Sequence, residues 1–149
     1  MSCQDAWVAD DSVASRRLLE MTLKKTGLST RAFESGIEAL NVFTKGDCSP
    51  QLIVLDSEMP DMDGCMTARM FRRAGYEGVL VLCSGSENEA LTARALRSGF
   101  DFITIKDAGF SELKNLLQSK VCLLPATDPG SSADEPGQAP TEARSRRSA

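Results

Sequence analysis

The stretch Leu52–Gly64, with the sequence LIVLDSEMPDMDG, decides the fold of this chain. Its opening residues, Leu52–Leu55, are all large and apolar, which is typical of a central parallel strand that helices cover on both faces. Asp56 follows that strand directly, and Pro60 then marks a loop. The stretch therefore predicts a buried strand of a parallel sheet with a carboxylate at its carboxyl end.

Short apolar runs and helical patterns alternate on either side of that strand. Such an alternation predicts parallel strands joined by right-handed crossovers, with helices on both faces of the sheet. The predicted fold class is α/β, a doubly wound five-stranded parallel sheet with five helices. The predicted strands are Trp7–Ala9, Ser29–Phe33, Leu52–Leu55, Val79–Cys83 and Phe102–Ile105. The predicted helices are Val13–Lys25, Gly36–Thr44, Met66–Arg73, Glu89–Arg97 and Ser111–Lys120.

The spacing of apolar residues predicts which side of each helix packs on the sheet. In the second helix, Ile37, Leu40 and Phe43 are expected to face inward. Ser111 is expected to cap the last helix, because a serine oxygen can accept a hydrogen bond from a free amide of the first turn.

The composition changes near Pro125. Residues 125–149 consist mainly of Pro, Gly, Ser, Ala and charged residues, with no apolar side chain larger than alanine. Such a segment cannot bury enough apolar surface to fold. We therefore expect one folded domain over residues 1–124 and a disordered tail over residues 125–149.

The composition of the whole chain disfavours several functional classes. The chain has 149 residues, a net charge of −4 and no histidine, so it lacks the base of a Ser-His-Asp or Cys-His site. The acidic balance argues against nucleic-acid binding. No apolar run reaches the ~20 residues that cross a bilayer, and no signal peptide is visible. The five cysteines have no C-x-x-C spacing, which indicates reduced thiols and a cytoplasmic protein. Because no membrane-spanning segment is visible, we expect no membrane partner.

Polar residues follow four of the predicted strands. Asp10 and Asp11 follow the first strand, Asp56 the third, Ser84 the fourth and Lys106 the fifth. Because the carboxyl ends of parallel strands meet at one edge of the sheet, we expect these side chains to converge there.

Three converging carboxylates repel one another, and a divalent cation relieves that repulsion. Hard oxygen ligands completed by water suit Mg²⁺. A metal beside a carboxylate, with a lysine opposite, meets the needs of phosphoryl transfer, because the charge of the moving group must be neutralised. We therefore interpret Asp56 as a nucleophile that forms an acyl phosphate.

Each of these residues also has a simpler interpretation. An aspartate after a strand is often a helix cap, a lone lysine is usually solvated, and a serine before a glycine can belong to a turn. Asp61 and Asp63 superficially resemble the D-x-D-G phosphatase motif, but Pro60 separates them from the strand, so we interpret them as polar loop residues. A site is favoured because the convergence of all five strand-end residues is hard to explain otherwise.

The sequence resembles the receiver domains of two-component response regulators, which have the chemotaxis-regulator fold. The resemblance covers Trp7–Lys120, and Leu52–Gly64 is its most specific segment: an apolar run, a phosphoacceptor aspartate, Met-Pro and an Asp-Gly loop. Three shorter segments match the family's paired acids, its strand-four hydroxyl and its strand-five lysine: Val8–Ser12, Leu82–Gly85 and Ile103–Lys106.

This resemblance implies a metal site and a phosphorylation site. Asp11 and Asp56, with the main-chain carbonyl of Glu58, would bind Mg²⁺ directly, and Asp10 would act through a metal-bound water. The donor would be a phosphohistidine on a sensor histidine kinase or a histidine phosphotransfer protein. Phosphorylation of Asp56 would then switch contacts with a downstream protein target.

The resemblance also assigns roles to the other strand ends. Lys106 would pair with the phosphoryl oxygens, and Ser84 would move to hydrogen-bond the new phosphate. Two positions depart from the usual pattern: Asp107 stands where the family often has proline, and Ile103 where it often has an aromatic switch residue.

Other interpretations stay open on the sequence alone. The chain could be an interaction module with the receiver fold that is never phosphorylated, or a metal-dependent phosphatase with an external substrate. It could be a stand-alone regulator or the receiver of a larger hybrid histidine kinase. We expect no enzymatic activity beyond phosphoryl transfer to Asp56 and hydrolysis of the product.

Overall fold

The computed structural model describes residues 5–46, 49–60, 62–86, 88–106 and 110–119. The strands are β1 (Ala6–Ala9), β2 (Thr30–Phe33), β3 (Leu52–Asp56), β4 (Val79–Ser84) and β5 (Phe102–Ile105). The helices are α1 (Val13–Lys25), α2 (Gly36–Thr44), α3 (Gly64–Arg73), α4 (Glu89–Ser98) and α5 (Ser111–Ser119). None of the helices within these ranges is long and apolar enough to cross a membrane.

The strands form one parallel sheet of five, in the order β2-β1-β3-β4-β5. All residues of β1 and β3 are buried, because each strand has a neighbour on both sides and helices above and below. Ala9 pairs with Leu55, and Asp56 pairs with Cys83. The carboxyl ends of β1, β3 and β4 therefore lie together, and the predicted fold class is confirmed.

Two apolar clusters, one on each face of the sheet, form the core. On one face, α2, α3 and α4 cover a cluster that includes Trp7, the single tryptophan of the chain. Its ring meets the ring of Phe33 edge-on, with 5.1 Å between the centroids. On the other face, α1 and α5 contribute Leu19, Leu23, Leu113 and Leu117.

The inward face of α2 differs from the prediction at one residue. Ile37 is 37% exposed, whereas Ala39 is fully buried. The buried face of α2 starts at Gly36, where an added Cβ would overlap the side chain of Thr67 on α3. This close approach of the two helices turns Ile37 toward solvent, while Leu40 and Phe43 pack against the core as predicted.

The start of α5 also differs from the prediction. Ser111 is the first helical residue, and the carbonyl of Phe110 accepts a hydrogen bond from the Lys114 amide at 2.9 Å. The residue that precedes the helix is thus Phe110, and Ser111 is not the cap. The predicted tail 125–149, the domain boundary at residue 124 and Asp107 lie outside the described residues.

Arg72 ties the end of α3 to the sheet on the side remote from the strand-end residues. Its guanidinium donates to the carbonyls of Tyr76, Gly78 and Gly99 and to the carboxylate of Asp101, at distances of 2.9 to 3.1 Å. The side chains of Arg72 and Asp101 are only 14% and 5% exposed. Such a buried, multiply bonded arginine fixes three chain segments at once.

Removal of this arginine is therefore expected to destabilise the fold. Arg72→Ala leaves the buried Asp101 carboxylate without its cation, and we expect the free energy of unfolding to fall by about 3 kcal/mol. Urea unfolding followed by circular dichroism measures the change. Arg73→Ala is the matched control, because Arg73 is exposed on the same helix end, and its effect should stay within about 0.5 kcal/mol. Equal losses in the two variants would contradict a special role for Arg72.

Candidate functional site

Three carboxylates meet at the carboxyl edge of the sheet. Asp10 follows β1 and Asp56 ends β3, and the pairing of these two strands places them side by side. The carboxylate oxygens of Asp10, Asp11 and Asp56 lie within 4.8 Å of one another. Asp10 is 0% and Asp56 6% exposed, whereas Asp11 is open to solvent. The three predicted acidic side chains are thus brought together.

The Lys106 ammonium sits between two of these carboxylates. Its Nζ lies 2.9 Å from Oδ2 of Asp10 and 2.9 Å from Oδ1 of Asp56. The main-chain amide of Lys106 donates to the Ser84 carbonyl at 2.7 Å, which anchors the lysine at the end of the β4–β5 ladder. The lysine predicted to face the acids therefore does so from a fixed backbone position.

Burial governs the electrostatics of Asp56. Desolvation raises the pKa of Asp56 above its usual value, and the nearby Asp10 carboxylate raises it further. The hydrogen bonds from Lys106 and from the Glu58 main-chain amide act in the opposite direction, but they do not cancel the effect of burial. The ionised form of Asp56 is therefore disfavoured in its buried position, and a further cation nearby would favour it.

Lys106 responds to the same surroundings in the opposite way. Burial alone would lower the pKa of Lys106, but hydrogen bonds to Asp10 and Asp56 and their negative charges raise it above its usual value. The lysine is therefore firmly cationic at neutral pH. A cation fixed beside a carboxylate is what an incoming phosphoryl group requires.

The turn after β1 is held by several hydrogen bonds. Oδ1 of Asp10 accepts from the Ser12 amide at 2.9 Å, and the Ser12 hydroxyl caps α1 by accepting from the Ser15 amide at 3.3 Å. On the main-chain side, a guanidinium nitrogen of Arg16 donates to the Asp10 carbonyl at 2.8 Å. Asp11 therefore lies between two fixed neighbours.

The donor set of this edge fits Mg²⁺, because all available ligand atoms are carboxylate or carbonyl oxygens and one acid is open to water. Asp11 and Asp56 are the acids with room for an ion, since both line the open cleft, whereas both oxygens of Asp10 are already hydrogen-bonded. Glu58 lies at the mouth of the same cleft with an exposed side chain. The carbonyl of Glu58 stays a predicted ligand.

Ser84 is engaged within its own loop. Its hydroxyl donates to the Ser86 carbonyl at 2.9 Å and accepts from the Ser86 amide at 3.3 Å. Ser84 is buried, and both serines line the cleft. Because a hydroxyl has a single proton to donate, Ser84 has to release the Ser86 carbonyl before it can donate to a phosphate.

The cleft over these residues has a volume of about 890 Å³ and extends from Asp11 to Arg94 on α4. Its far wall contains an ion pair that the sequence did not reveal: a guanidinium nitrogen of Arg94 lies 2.8 Å from Oδ2 of Asp63. Asp63 also caps α3 by accepting from the Met66 amide at 2.8 Å. An aspartate three residues before a helical amide is a recognisable cap signal, and it explains why α3 starts earlier than predicted.

Gly64, the first residue of α3, permits the close approach of that helix to the site. A Cβ at this position would overlap the main-chain oxygen of Asp56 and would lie 3.1 Å from a side-chain carbon of Leu82. The Gly64 amide donates to the Ser57 carbonyl at 3.1 Å. The glycine thus lets the loop after Asp56 fold back tightly.

Ile103 lies in β5 opposite Leu82 of β4, and β4 separates it from Asp56 on β3. It is half-buried and packs against the cluster under α2, α3 and α4. An aliphatic side chain in this position is stiff at its first dihedral angle. The predicted departure from the family pattern therefore packs against the apolar core, in the strand next to the one that ends in Ser84.

The Asp63–Arg94 pair leads to a prediction about pH. Burial tends to raise the pKa of Asp63, but hydrogen bonds from the Met66 amide and Arg94 outweigh it, so the pKa is lowered. A carboxyl group whose pKa is lowered by folding stabilises the fold above its usual pKa of about 4 and loses that effect as the pH falls through the lowered value. Asp63→Asn keeps the cap but removes the charge, and at pH 7 it should cost about 0.5 kcal/mol because the pair is largely exposed.

Urea unfolding of wild type and Asp63→Asn from pH 7 to pH 2.5 measures this difference, which should vanish in acid. Arg94→Gln should behave in the same way, and Asp63→Ala should lose about 1 kcal/mol more through the missing cap. A difference between wild type and Asp63→Asn that is independent of pH would contradict the ion-pair explanation.

Comparison with known proteins identifies the family of this chain. Residues 6–118 match the family described as "Response regulator receiver domain". The DNA-binding transcriptional regulator NtrC of Klebsiella pneumoniae is 31% identical over 99 residues, which is 66% of this chain and 21% of NtrC. The response regulator MprA of Mycobacterium sp. (strain KMS) is 28% identical over 129 residues, 87% of this chain and 54% of MprA. The chain thus spans only part of the curated relatives that it matches.

Solved structures give the same result. The receiver domain of the response regulator NarL from Mycobacterium tuberculosis superimposes with a TM-score of 0.66 at 25% identity, over 76% of this chain and 91% of that one. The receiver domain of the Francisella response regulator 1452 has the same fold, with a TM-score of 0.70 at 22% identity, over 84% of this chain and all (100%) of that one. Because the family match covers most of the sequence, the chain belongs to the receiver domains of two-component response regulators.

Proposed function

We propose that this receiver accepts a phosphoryl group on Asp56 from a phosphohistidine donor, with Mg²⁺, and thereby switches its contacts with a downstream protein. The observation that carries the proposal is the Lys106 ammonium held 2.9 Å from Asp56. Beside it lie two further acids, with oxygens within 4.8 Å, at the base of an open cleft. A nucleophilic carboxylate, a fixed cation and an acidic metal site are the parts that phosphoryl transfer to an aspartate needs.

In the proposed reaction an oxygen of Asp56 attacks the phosphorus of the donor. A bond from this oxygen to phosphorus forms, the phosphorus–nitrogen bond breaks, and its electron pair leaves with the donor imidazole. Lys106 leaves its bond to the attacking carboxylate and pairs with the phosphoryl oxygens. Asp11, Asp56 and the Glu58 carbonyl would hold Mg²⁺, which supplies further neutralisation of the developing charge.

The phosphoryl donor lies outside the 149 residues of this sequence. The chain contains no histidine, so it has no imidazole on which to carry a phosphoryl group. A sensor histidine kinase or a histidine phosphotransfer protein is the partner that fits this need. The chain then acts as a stoichiometric acceptor in the cytoplasm, and its own chemistry is limited to transfer to Asp56 and hydrolysis.

The proposed switch starts at Ser84. In the unphosphorylated protein its hydroxyl proton is bound to the Ser86 carbonyl. A phosphate on Asp56 is a stronger acceptor than a carbonyl, because hydrogen bonds to charged groups are the stronger ones. If the Ser84 hydroxyl donates its hydrogen bond to the phosphate instead of to the Ser86 carbonyl, the loop between β4 and α4 is released, and the surface that a downstream protein contacts changes.

Replacement of the acceptor tests the proposal. With Mg²⁺ and a small phosphodonor such as acetyl phosphate, wild type should gain one phosphoryl group that is stable in acid and removed by hydroxylamine, and Asp56→Asn should gain none. Intact mass spectrometry with peptide mapping measures the label. The physical reason is that an amide oxygen is a far weaker nucleophile than a carboxylate.

Two controls define the result. Asp63→Asn, which retains a capping side chain on the far wall of the same cleft, should be labelled as wild type is, and ATP with Mg²⁺ alone should label neither protein. Undiminished labelling of Asp56→Asn would exclude Asp56 as the acceptor. Wild type that gains no label from any phosphodonor would favour the interaction module that is never phosphorylated.

Glu58 is expected to set the lifetime of the phosphoaspartate. Hydrolysis needs a water in line with the phosphorus on the side away from Asp56, and the exposed Glu58 side chain lies at the mouth of the cleft. Its charge repels the anionic phosphoryl group, and its bulk crowds the path of the water. Glu58→Asn should therefore shorten the half-life at fixed Mg²⁺, as measured by loss of phosphate from the isolated phosphoprotein. An unchanged or longer half-life would show that Glu58 does not protect the bond, and Glu77→Asn, at an exposed site beyond α3, is the control.

A further inference from the structure

Arg16 is a cation that lies next to the proposed metal site but bonds to the main chain there. Its guanidinium donates a hydrogen bond to the main-chain carbonyl of Asp10 at 2.8 Å. Among the described residues, it forms no ion pair with the clustered carboxylates. We propose that Arg16 is a positioning residue for Mg²⁺: it locks the turn that presents Asp11 to the ion. The inference rests on the proposed function, because it assumes that Asp11 and Asp56 hold the metal.

The Asp10 carbonyl needs a donor because of where β1 ends. The Asp10 amide still bonds to the Phe33 carbonyl of β2 at 3.2 Å, but the strand stops at Ala9. Asp10 is 0% exposed, so water cannot reach it freely, and a buried carbonyl without a donor is costly. The Arg16 side chain reaches back from α1 and supplies that donor.

The bond closes a ring around the metal-binding turn. From Asp10 the chain runs through Asp11 to Ser12, the cap of α1, and on through the first helical turn to Arg16, whose side chain returns to Asp10. Inside this ring, Oδ1 of Asp10 also accepts from the Ser12 amide at 2.9 Å. Asp11 is the middle residue of a turn that is fixed at both ends.

The side chain of Asp11 is not fixed by the hydrogen bonds of the described turn. Its side chain is exposed, and both neighbours, not Asp11, make the described hydrogen bonds of the turn. The backbone of the turn therefore decides where its carboxylate points. Residues that orient metal ligands from behind commonly matter for metal affinity as much as for stability.

If Arg16 acts only through its charge, its removal should change the affinity for Mg²⁺ in one direction; if it acts by positioning the turn, the change should have the opposite direction. A nearby positive charge repels Mg²⁺, so its removal should tighten binding if charge alone matters. If Arg16 instead holds the turn, its removal should weaken binding although the site becomes more negative. The direction of the change therefore separates the two explanations.

The neighbouring Arg17 provides a matched control. It follows Arg16 on α1, is exposed, and does not take part in the hydrogen bond that Arg16 makes to the Asp10 carbonyl. Arg16→Ala and Arg17→Ala each remove one positive charge from the first two turns of α1. Arg16→Lys and Arg17→Lys keep the charge and change only the geometry of the donor, because an ammonium lacks the planar fork of a guanidinium.

Titration calorimetry with MgCl₂, together with urea unfolding of each protein without Mg²⁺, tests the proposal. Arg16→Ala should weaken the Kd for Mg²⁺ by about tenfold, Arg16→Lys should weaken it less, and both Arg17 variants should bind as wild type or slightly more tightly. If Arg16→Ala does not fold, the comparison of Arg16→Lys with Arg17→Lys decides the question. Asp11→Ala should abolish binding and identifies the site.

Three results would overturn the inference. Tighter or unchanged Mg²⁺ binding in both Arg16 variants would mean that Arg16 does not position the turn. A lower urea midpoint with an unchanged Kd would mean that it only stabilises the start of α1. Wild type that binds no Mg²⁺, or Asp11→Ala that binds normally, would instead overturn the metal site of the proposed function, and with it the basis of the inference.

Discussion

The bridge from the Lys106 ammonium to the carboxylates of Asp10 and Asp56 is the interaction on which the site depends. Without it, two buried acids would face each other at the end of neighbouring strands, and the Asp10 carboxylate would further disfavour the ionised form of Asp56. The lysine comes from the far side of β4, so its reach requires the strand order and register of the whole sheet. Fold and chemistry are therefore coupled through a single side chain.

The Lys106 bridge does not neutralise all the negative charge of the site. One ammonium stands against three clustered carboxylates, and burial still raises the pKa of Asp56. The remaining negative charge favours a cation at the open side, where Asp11 faces solvent. An acidic cluster that is only partly neutralised fits the metal-dependent reaction that we propose for Asp56.

The strand-end residues could be predicted from sequence because they obey simple rules. A buried parallel strand is a run of apolar residues, as in Leu52–Leu55, and whatever follows such a run lies at the carboxyl edge. Neighbours along the chain were enough to place Asp10, Asp56 and Lys106. The prediction that Ile37 faces inward was wrong. The orientation of Ile37 depends on how closely α2 approaches Thr67, and no local sequence pattern encodes that distance.

Partners that are far apart in sequence were also beyond prediction. The ion pairs Arg72–Asp101 and Asp63–Arg94 join residues 29 and 31 positions apart, and a sequence alone does not show which acid an arginine will meet. The Asp63 cap is a different case, because it is local: an aspartate just before an apolar helical pattern is a known start signal. The sequence analysis instead assigned Asp63 to the loop, because Asp63 and Gly64 form the Asp-Gly pair of the segment Leu52–Gly64.

The position of Trp7 has a consequence for spectroscopy. This is the single tryptophan of the chain; it is fully buried and packs edge-on against Phe33. It lies on the same short strand that leads into Asp10, within the cluster covered by α2, α3 and α4. The tryptophan fluorescence of the folded protein therefore arises from one buried, apolar environment, and its emission reports the packing of this one face of the sheet.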